Sequence, residues 1–190
     1  MTDCTSPMPG PVVERDEQLS LRTVEREDIP FLQKGFTAPE IRYPLGRTTH
    51  RNLDEVEDQF NPDNQLRFLV CVDEDTAPMD EPDESEVRPI GMASVTGAES
   101  RRPGLTYWLI PAVHGNGYGK ATVSLVINYV LRVFDTPAIG AAVFDFNTAS
   151  RGLLESLGFT QEGRLRKFQF VDGEYRDLIQ YGLLRSEWQD

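Results

Sequence analysis

Seven consecutive residues, His114-Gly115-Asn116-Gly117-Tyr118-Gly119-Lys120, could build an anion site largely from backbone. A strand-like run from Leu105 to Ile110 precedes them and ends at Pro111. A largely apolar helical pattern from Lys120 to Phe134 follows. The first turn of a helix leaves N–H groups without partners, and the helix dipole adds partial positive charge there. Glycines remove the Cβ atoms that would hold a phosphate away from those groups, and they allow positive φ. The turn is not a Walker loop, because Ala121 rather than Ser or Thr follows Gly119-Lys120. Nor is it a dinucleotide fingerprint, because Lys120 or Thr122 stands where the third glycine belongs. The alternative is a glycine-rich turn that holds no ligand.

Other chemistry-bearing residue types are sparse. Cys4 and Cys71, with His50 and His114 far apart, make neither a disulfide framework nor a zinc spacing, so no metal is expected. The net charge of −12 argues against nucleic acid as a partner. It suits a cationic substrate, and equally a solvated acidic surface of a salt-adapted protein. No apolar run approaches a membrane span, and no basic or apolar leader opens the chain. The expected setting is a reducing cytoplasm, with no membrane partner.

The elements around the turn read as one domain over 18–190, which 190 residues with 39% apolar content can pack. Residues 1–17, rich in proline and poor in apolar side chains, read as a disordered lead-in. Leu19 to Val24 alternates as a strand. Asp28-Ile29-Pro30 starts a helix, with Asp28 as its cap. Ile41 to His50 is irregular. Asn52-Leu53-Asp54-Glu55 resembles a capping box opening a helix toward Phe60. Leu66 to Val72 and Arg88 to Val95 are strands. Between them, 73–86 holds eight Asp and Glu among fourteen residues, which reads as a solvated, mobile loop. Ile139 to Phe146 is a buried strand, and Asn147 caps a helix that stops at Gly158. Leu165 to Val171 and Tyr175 to Leu184 form a hairpin about Asp172-Gly173.

In this order, His114-x-x-Gly117-x-Gly119, Tyr107-Trp108-Leu109, Asn147-Thr148-Ala149-Ser150, Leu157-Gly158-Phe159 and Glu162-Gly163-Arg164-Leu165-Arg166 resemble the GNAT superfamily of N-acetyltransferases. The closing Asp177…Tyr181-Gly182-Leu183-Leu184…Trp188 points to its RimJ/RimL type. The likeness spans about residues 19–188. It implies an α/β (α+β) fold, with a mixed sheet of about seven strands, splayed in the middle and carrying helices on both faces.

The resemblance also implies roles. Acetyl-CoA would be the cosubstrate. The strand edge at Trp108, Leu109 and Ile110 would pair with its pantetheine arm. His114, Gly115, Asn116, Gly117, Tyr118, Gly119, Lys120 and Ala121 would hold its pyrophosphate. Asn147 matches a position that contacts the pantetheine arm, or is a plain helix cap. Ser150 would donate to the departing thiolate, or is an ordinary first-turn serine. Two departures stand out: Leu154 replaces a tyrosine near the sulfur, and Gly104 replaces a strand glutamate. Glu99 and Asp145 are the nearest substitute acids in sequence. The acceptor would be a protein or peptide N-terminal α-amino group, bound by a monomer or homodimer. The alternatives are a small amine (polyamine, amino acid or aminoglycoside) and a non-enzymatic acyl-CoA-binding module.

Overall fold

The computed structural model describes residues 9–58, 65–73 and 87–189. Its strands are β1 (Val12–Arg15), β2 (Ser20–Arg22), β3 (Gln65–Asp73), β4 (Val87–Thr96), β5 (Gly104–Leu109), β6 (Ala138–Phe144), β7 (Thr160–Val171) and β8 (Glu174–Leu184). They form one eight-stranded sheet in the order β1-β2-β3-β4-β5-β6-β8-β7. The helices are α1 (Ile29–Thr37), α2 (Pro39–Arg42), α3 (Leu53–Glu57), α4 (Tyr118–Val133) and α5 (Thr148–Ser156).

Period-two alternation in the strands sends successive side chains to opposite faces, and each face meets its own helices. Phe68 and Val70 of β3 join Val123, Val126, Ile127 and Leu154 of α4 and α5 in one core. Leu69 and Cys71 turn the other way, toward Leu32 and Phe36 of α1 and Val56 of α3. A bulge in β4 serves both. Pairing steps from Val70↔Gly91 to Cys71↔Pro89, leaving Ile90 extra. That slip puts Ile90 in the first core and Met92 in the second. It also gives Pro89 a place in a central strand, where its missing N–H would otherwise break the ladder.

Neighbouring strands are antiparallel except β5 and β6, which run parallel and pair only at Gly104↔Gly140 and Leu105↔Ala141. Arg102 clamps that closed end, reaching Glu162 at the start of β7 with two hydrogen bonds of 2.5 and 2.7 Å. Beyond Leu105 the two strands part, as the resemblance leads one to expect.

Several boundaries differ from the sequence reading. Val12–Arg15, expected to be disordered, pairs with β2, and Glu14 meets Arg132 of α4 in an ion pair. With β1 the sheet counts eight strands, against the about seven expected. Pro39–Arg42 makes a short helix that takes in Ile41 and Arg42, the start of the segment read as irregular. Asp28 starts α1, but its carboxylate accepts the Glu25 N–H at 2.8 Å and so closes the preceding turn rather than capping α1. The Asn52/Glu55 capping box is present in both directions. Phe60, the expected end of that helix, and the acidic segment 74–86 lie outside the described residues.

Candidate active site

The parting of β5 and β6 opens a cleft of about 450 Å³ whose wall passes from Glu40 and Leu45 to the glycine turn. The three glycines do different work. Gly117 ends the turn as the cap of α4, at φ +87°, a left-handed conformation that costs other residues about 1 kcal/mol or more. Gly115 is also left-handed, and an added Cβ there would meet nothing within 4 Å. Gly119 allows close packing, because a Cβ would sit 2.9 Å from Leu153 Cδ1 of α5. Tyr118 and Gly119 open α4, so their N–H groups have no carbonyl one turn back to bond. An unhindered, N–H-bearing turn at a helix start fits a pyrophosphate.

Parts of the predicted cradle are already engaged. The Ala121 N–H bonds Gly117 O at 3.2 Å and so belongs to the helix. The His114 ring donates from Nε2 to the Leu109 carbonyl at 3.0 Å, strapping the turn to β5. Asn116 donates to Val113 O at 3.3 Å. The Ile110 N–H is taken by Ile90 O at 2.8 Å, across the β4 bulge, so it cannot serve a pantetheine arm.

Trp108, Leu109, His114, Gly115, Gly117 and Gly119 line the cleft, as do Lys120, Asn147 and Ser150. The side chains of Ile110, Asn116, Tyr118 and Ala121 are not among its lining. The structure does not bring Glu99 there: it is exposed in the turn after β4, at the closed end of the splay. Gly104 belongs to the same closed end. Asp145 is also outside the cleft, its N–H bonded to Asp177 O at 3.0 Å.

Asn147 caps α5 by accepting the Ser150 N–H at 3.1 Å. That bond fixes the first turn of α5, and with it the Ser150 hydroxyl, which lies 3.4 Å from the Tyr107 hydroxyl. Burial pushes the Tyr107 phenol above its ordinary pKa, and the Ser150 contact opposes this only in part. Tyr107 is therefore a neutral hydroxyl donor near pH 7. Sequence reading passed over it because a tyrosine in a strand reads as core. It also missed Glu40, which α2 places on the cleft wall with its side chain exposed. Among the described residues, Glu40 is the one carboxylate lining the cleft. Its signal was an acid in the first turn after Pro39, in a segment taken to start only beyond it.

Among the described residues no cluster of His, Cys, Asp or Glu is placed to hold a metal, and no helix is long and apolar enough to cross a membrane.

Residues 18–160 match the model of the acetyltransferase (GNAT) domain. A prophage-derived uncharacterized N-acetyltransferase, YokL of Bacillus subtilis, is 26% identical over 91% of this chain and 93% of its own length. Spermidine N(1)-acetyltransferase of Vibrio cholerae is 23% identical over 91% of this chain and 96% of its own. A ribosomal protein uS5 alanine N-acetyltransferase of Escherichia coli is 29% identical over 57% of this chain and 56% of its own. A crystal structure of the Vibrio cholerae spermidine enzyme, in complex with CoA and spermine, superposes with a TM-score of 0.77 at 21% identity. It covers 90% of this chain and 98% of its own, a likeness of fold.

Proposed function

We propose, from the premise that this chain belongs to the GNAT family of acetyltransferases and carries acetyl from acetyl-CoA to an amine nitrogen, that the acceptor is the N-terminal α-amino group of a peptide or protein. The observation that carries this reading is the pair of unpaired strand edges beyond Leu105↔Ala141. One edge, on β5, suits the pantetheine arm. The other, on β6, is held rigid from behind by β8 along Ala138 to Phe144. An extended peptide can add main-chain hydrogen bonds to such an edge, whereas a polyamine has no amides to offer.

Acetyl-CoA supplies an activated thioester. The residues of this chain then have three tasks. The N–H groups of Gly117, Tyr118 and Gly119 hold the pyrophosphate, with Lys120 adding charge. Glu40, exposed and so connected to water, accepts the proton of the incoming ammonium. As the amine nitrogen bonds the carbonyl carbon and the carbon–sulfur bond breaks, the Ser150 hydroxyl, backed by Tyr107, gives a proton to the sulfur and regains one, through water, from the nitrogen that becomes the amide. Placing both reactants in one cleft removes most of the entropic part of the barrier.

A small polyamine is the second reading, favoured by the named activity of the Vibrio cholerae relative. Against it, a polycation needs several carboxylates, and the described cleft wall offers Glu40 alone. Thiol release measured side by side with N-terminal peptides and with spermidine decides between them. A higher kcat/KM for spermidine than for every peptide would overturn the peptide reading.

A further inference from the structure

Past Leu105↔Ala141, β5 has no partner strand on its β6 side among the described residues. Its main-chain groups there must be satisfied in some other way. Alternation along the strand decides which groups these are. The Ile110 N–H bonds Ile90 O at 2.8 Å, toward β4. An added Cβ on Gly91 of β4 would come within 2.2 Å of the Trp108 carbonyl oxygen, so that group also faces β4. Tyr107 and Leu109 therefore turn their N–H and C=O groups the opposite way, into the cleft between β5 and β6.

At Leu109 half of this need is met from within the chain. Its carbonyl takes the His114 Nε2–H at 3.0 Å. A carbonyl only accepts, which places the ring proton on Nε2. His114 thus gives this edge the hydrogen bond that a neighbouring strand would have given. The Leu109 N–H, on the same side, is left for a ligand. The same ring ties two parts of the cleft together. Leu109 ends β5, and His114 begins the glycine turn that leads to the Gly117 cap of α4. Between them stands one turn of 3-10 helix, Pro111–Val113, closed by the His114 N–H on Pro111 O at 3.1 Å. One short turn and one side-chain bond therefore set the reach from the anion turn to the edge of β5.

We propose that His114 is a positioning residue: it holds the Leu109 carbonyl so that the Leu109 N–H receives the carbonyl oxygen of the thioester. Negative charge grows on that oxygen as the amine nitrogen bonds the carbon. His114 acts through Leu109, not as a ligand of the pyrophosphate. The proposal rests on the acetyl-transfer reading above and is independent of the choice of acceptor. A donor fixed in advance stabilises the growing charge without reorganising, which an edge free to swing cannot do.

The test compares His114→Ala, His114→Phe and His114→Gln with wild type, by thiol release to an N-terminal peptide and by calorimetric titration of acetyl-CoA. Melting shows which variants are folded. Gln can donate to the same carbonyl, whereas Ala and Phe cannot. We expect kcat to fall about 10-fold in the Ala and Phe variants, short of the about 10²–10³ for loss of an oxyanion donor itself. Acetyl-CoA affinity should change less than about threefold, and the Gln variant should regain most of kcat. S-acetylpantetheine, which has no pyrophosphate, should lose the same factor in kcat/KM. An unchanged kcat with weakened acetyl-CoA binding would make His114 a phosphate contact and overturn the proposal. An equal loss of kcat in the Gln variant would reduce the bond to a fold contact and overturn it as well. Thiol release by the wild type to neither the peptide nor spermidine would overturn the acetyl-transfer reading, and this proposal with it.

Discussion

The hydroxyl oxygens of Tyr107 and Ser150 stand 3.4 Å apart, joining β5 to the first turn of α5 beside the gap between β5 and β6. Leu154, where the resemblance leads one to expect a tyrosine, is fully buried in the apolar core. The phenol that meets Ser150 is that of Tyr107, on β5.

Ser150→Ala and Tyr107→Phe should each lower kcat about 10- to 100-fold, at the low end of general-acid effects. A thiol with a pKa of about 8.5 leaves readily, so the loss should fall short of the roughly 2.7–4 kcal/mol of an oxyanion donor. Because the two hydroxyls act as one donor chain, the double variant should be little slower than the worse single variant. Steady-state thiol release checks this. Additive losses would mean that the two act separately, and intact kcat in both singles would hand the proton to solvent.

Gly117→Asp should weaken acetyl-CoA binding at least about 10-fold, since a like charge set against a phosphate costs several kcal/mol. Gly119→Ala tests packing instead. Its Cβ would press on Leu153, and crowding of this kind costs about 1–3 kcal/mol of stability. Calorimetric titration and thermal melts separate the two effects. Near wild-type affinity in a folded Gly117→Asp would remove the turn from the site.

Much of this was legible in the chain, and the reason is locality. The Asn52/Glu55 box, the Asn147 cap and the Asp172-Gly173 turn, both of whose residues have positive φ, depend on neighbours within four positions. So does the glycine turn. What stayed hidden depends on distant pairings. β1 is a strand because β2 lends it a ladder and Arg132 a charge, which its own proline-rich surroundings do not foretell. Glu99 is near β5 in sequence, yet the hairpin carries it to the closed end of the splay. The contact of Tyr107 with Ser150 spans 43 positions, and the opening beside Leu109 exists only through register.

The raised pKa of Tyr107 makes an alkaline prediction. A phenol whose folded pKa lies above its unfolded value of about 10 contributes stability that is intact below pH 10 and is lost as pH rises beyond it. Thermal melts of the wild type should therefore fall above pH 10, and those of Tyr107→Phe should fall less. In the same experiment kcat should show no alkaline limb from this group below pH 10. A limb near pH 8 that disappears in Tyr107→Phe would contradict the burial argument.

Glu40→Gln should reduce kcat/KM for the amine about 10- to 100-fold and leave acetyl-CoA affinity unchanged, because the lost carboxylate serves only the acceptor. The loss should shrink as pH rises and more amine arrives unprotonated. A pH-independent loss would make Glu40 a binding contact without a part in proton transfer.

The most direct test is acetyl-CoA-dependent thiol release with an N-terminal peptide, in wild type and in Gly117→Asp shown by melting to be folded. We predict turnover by the wild type that saturates in both reactants, with mass spectrometry placing the acetyl group on the α-amino nitrogen, and loss of turnover in the variant. Saturable acetyl-CoA binding by the wild type with no thiol released to any peptide or small amine, or equal release by the folded variant, would contradict acetyl transfer through this cleft.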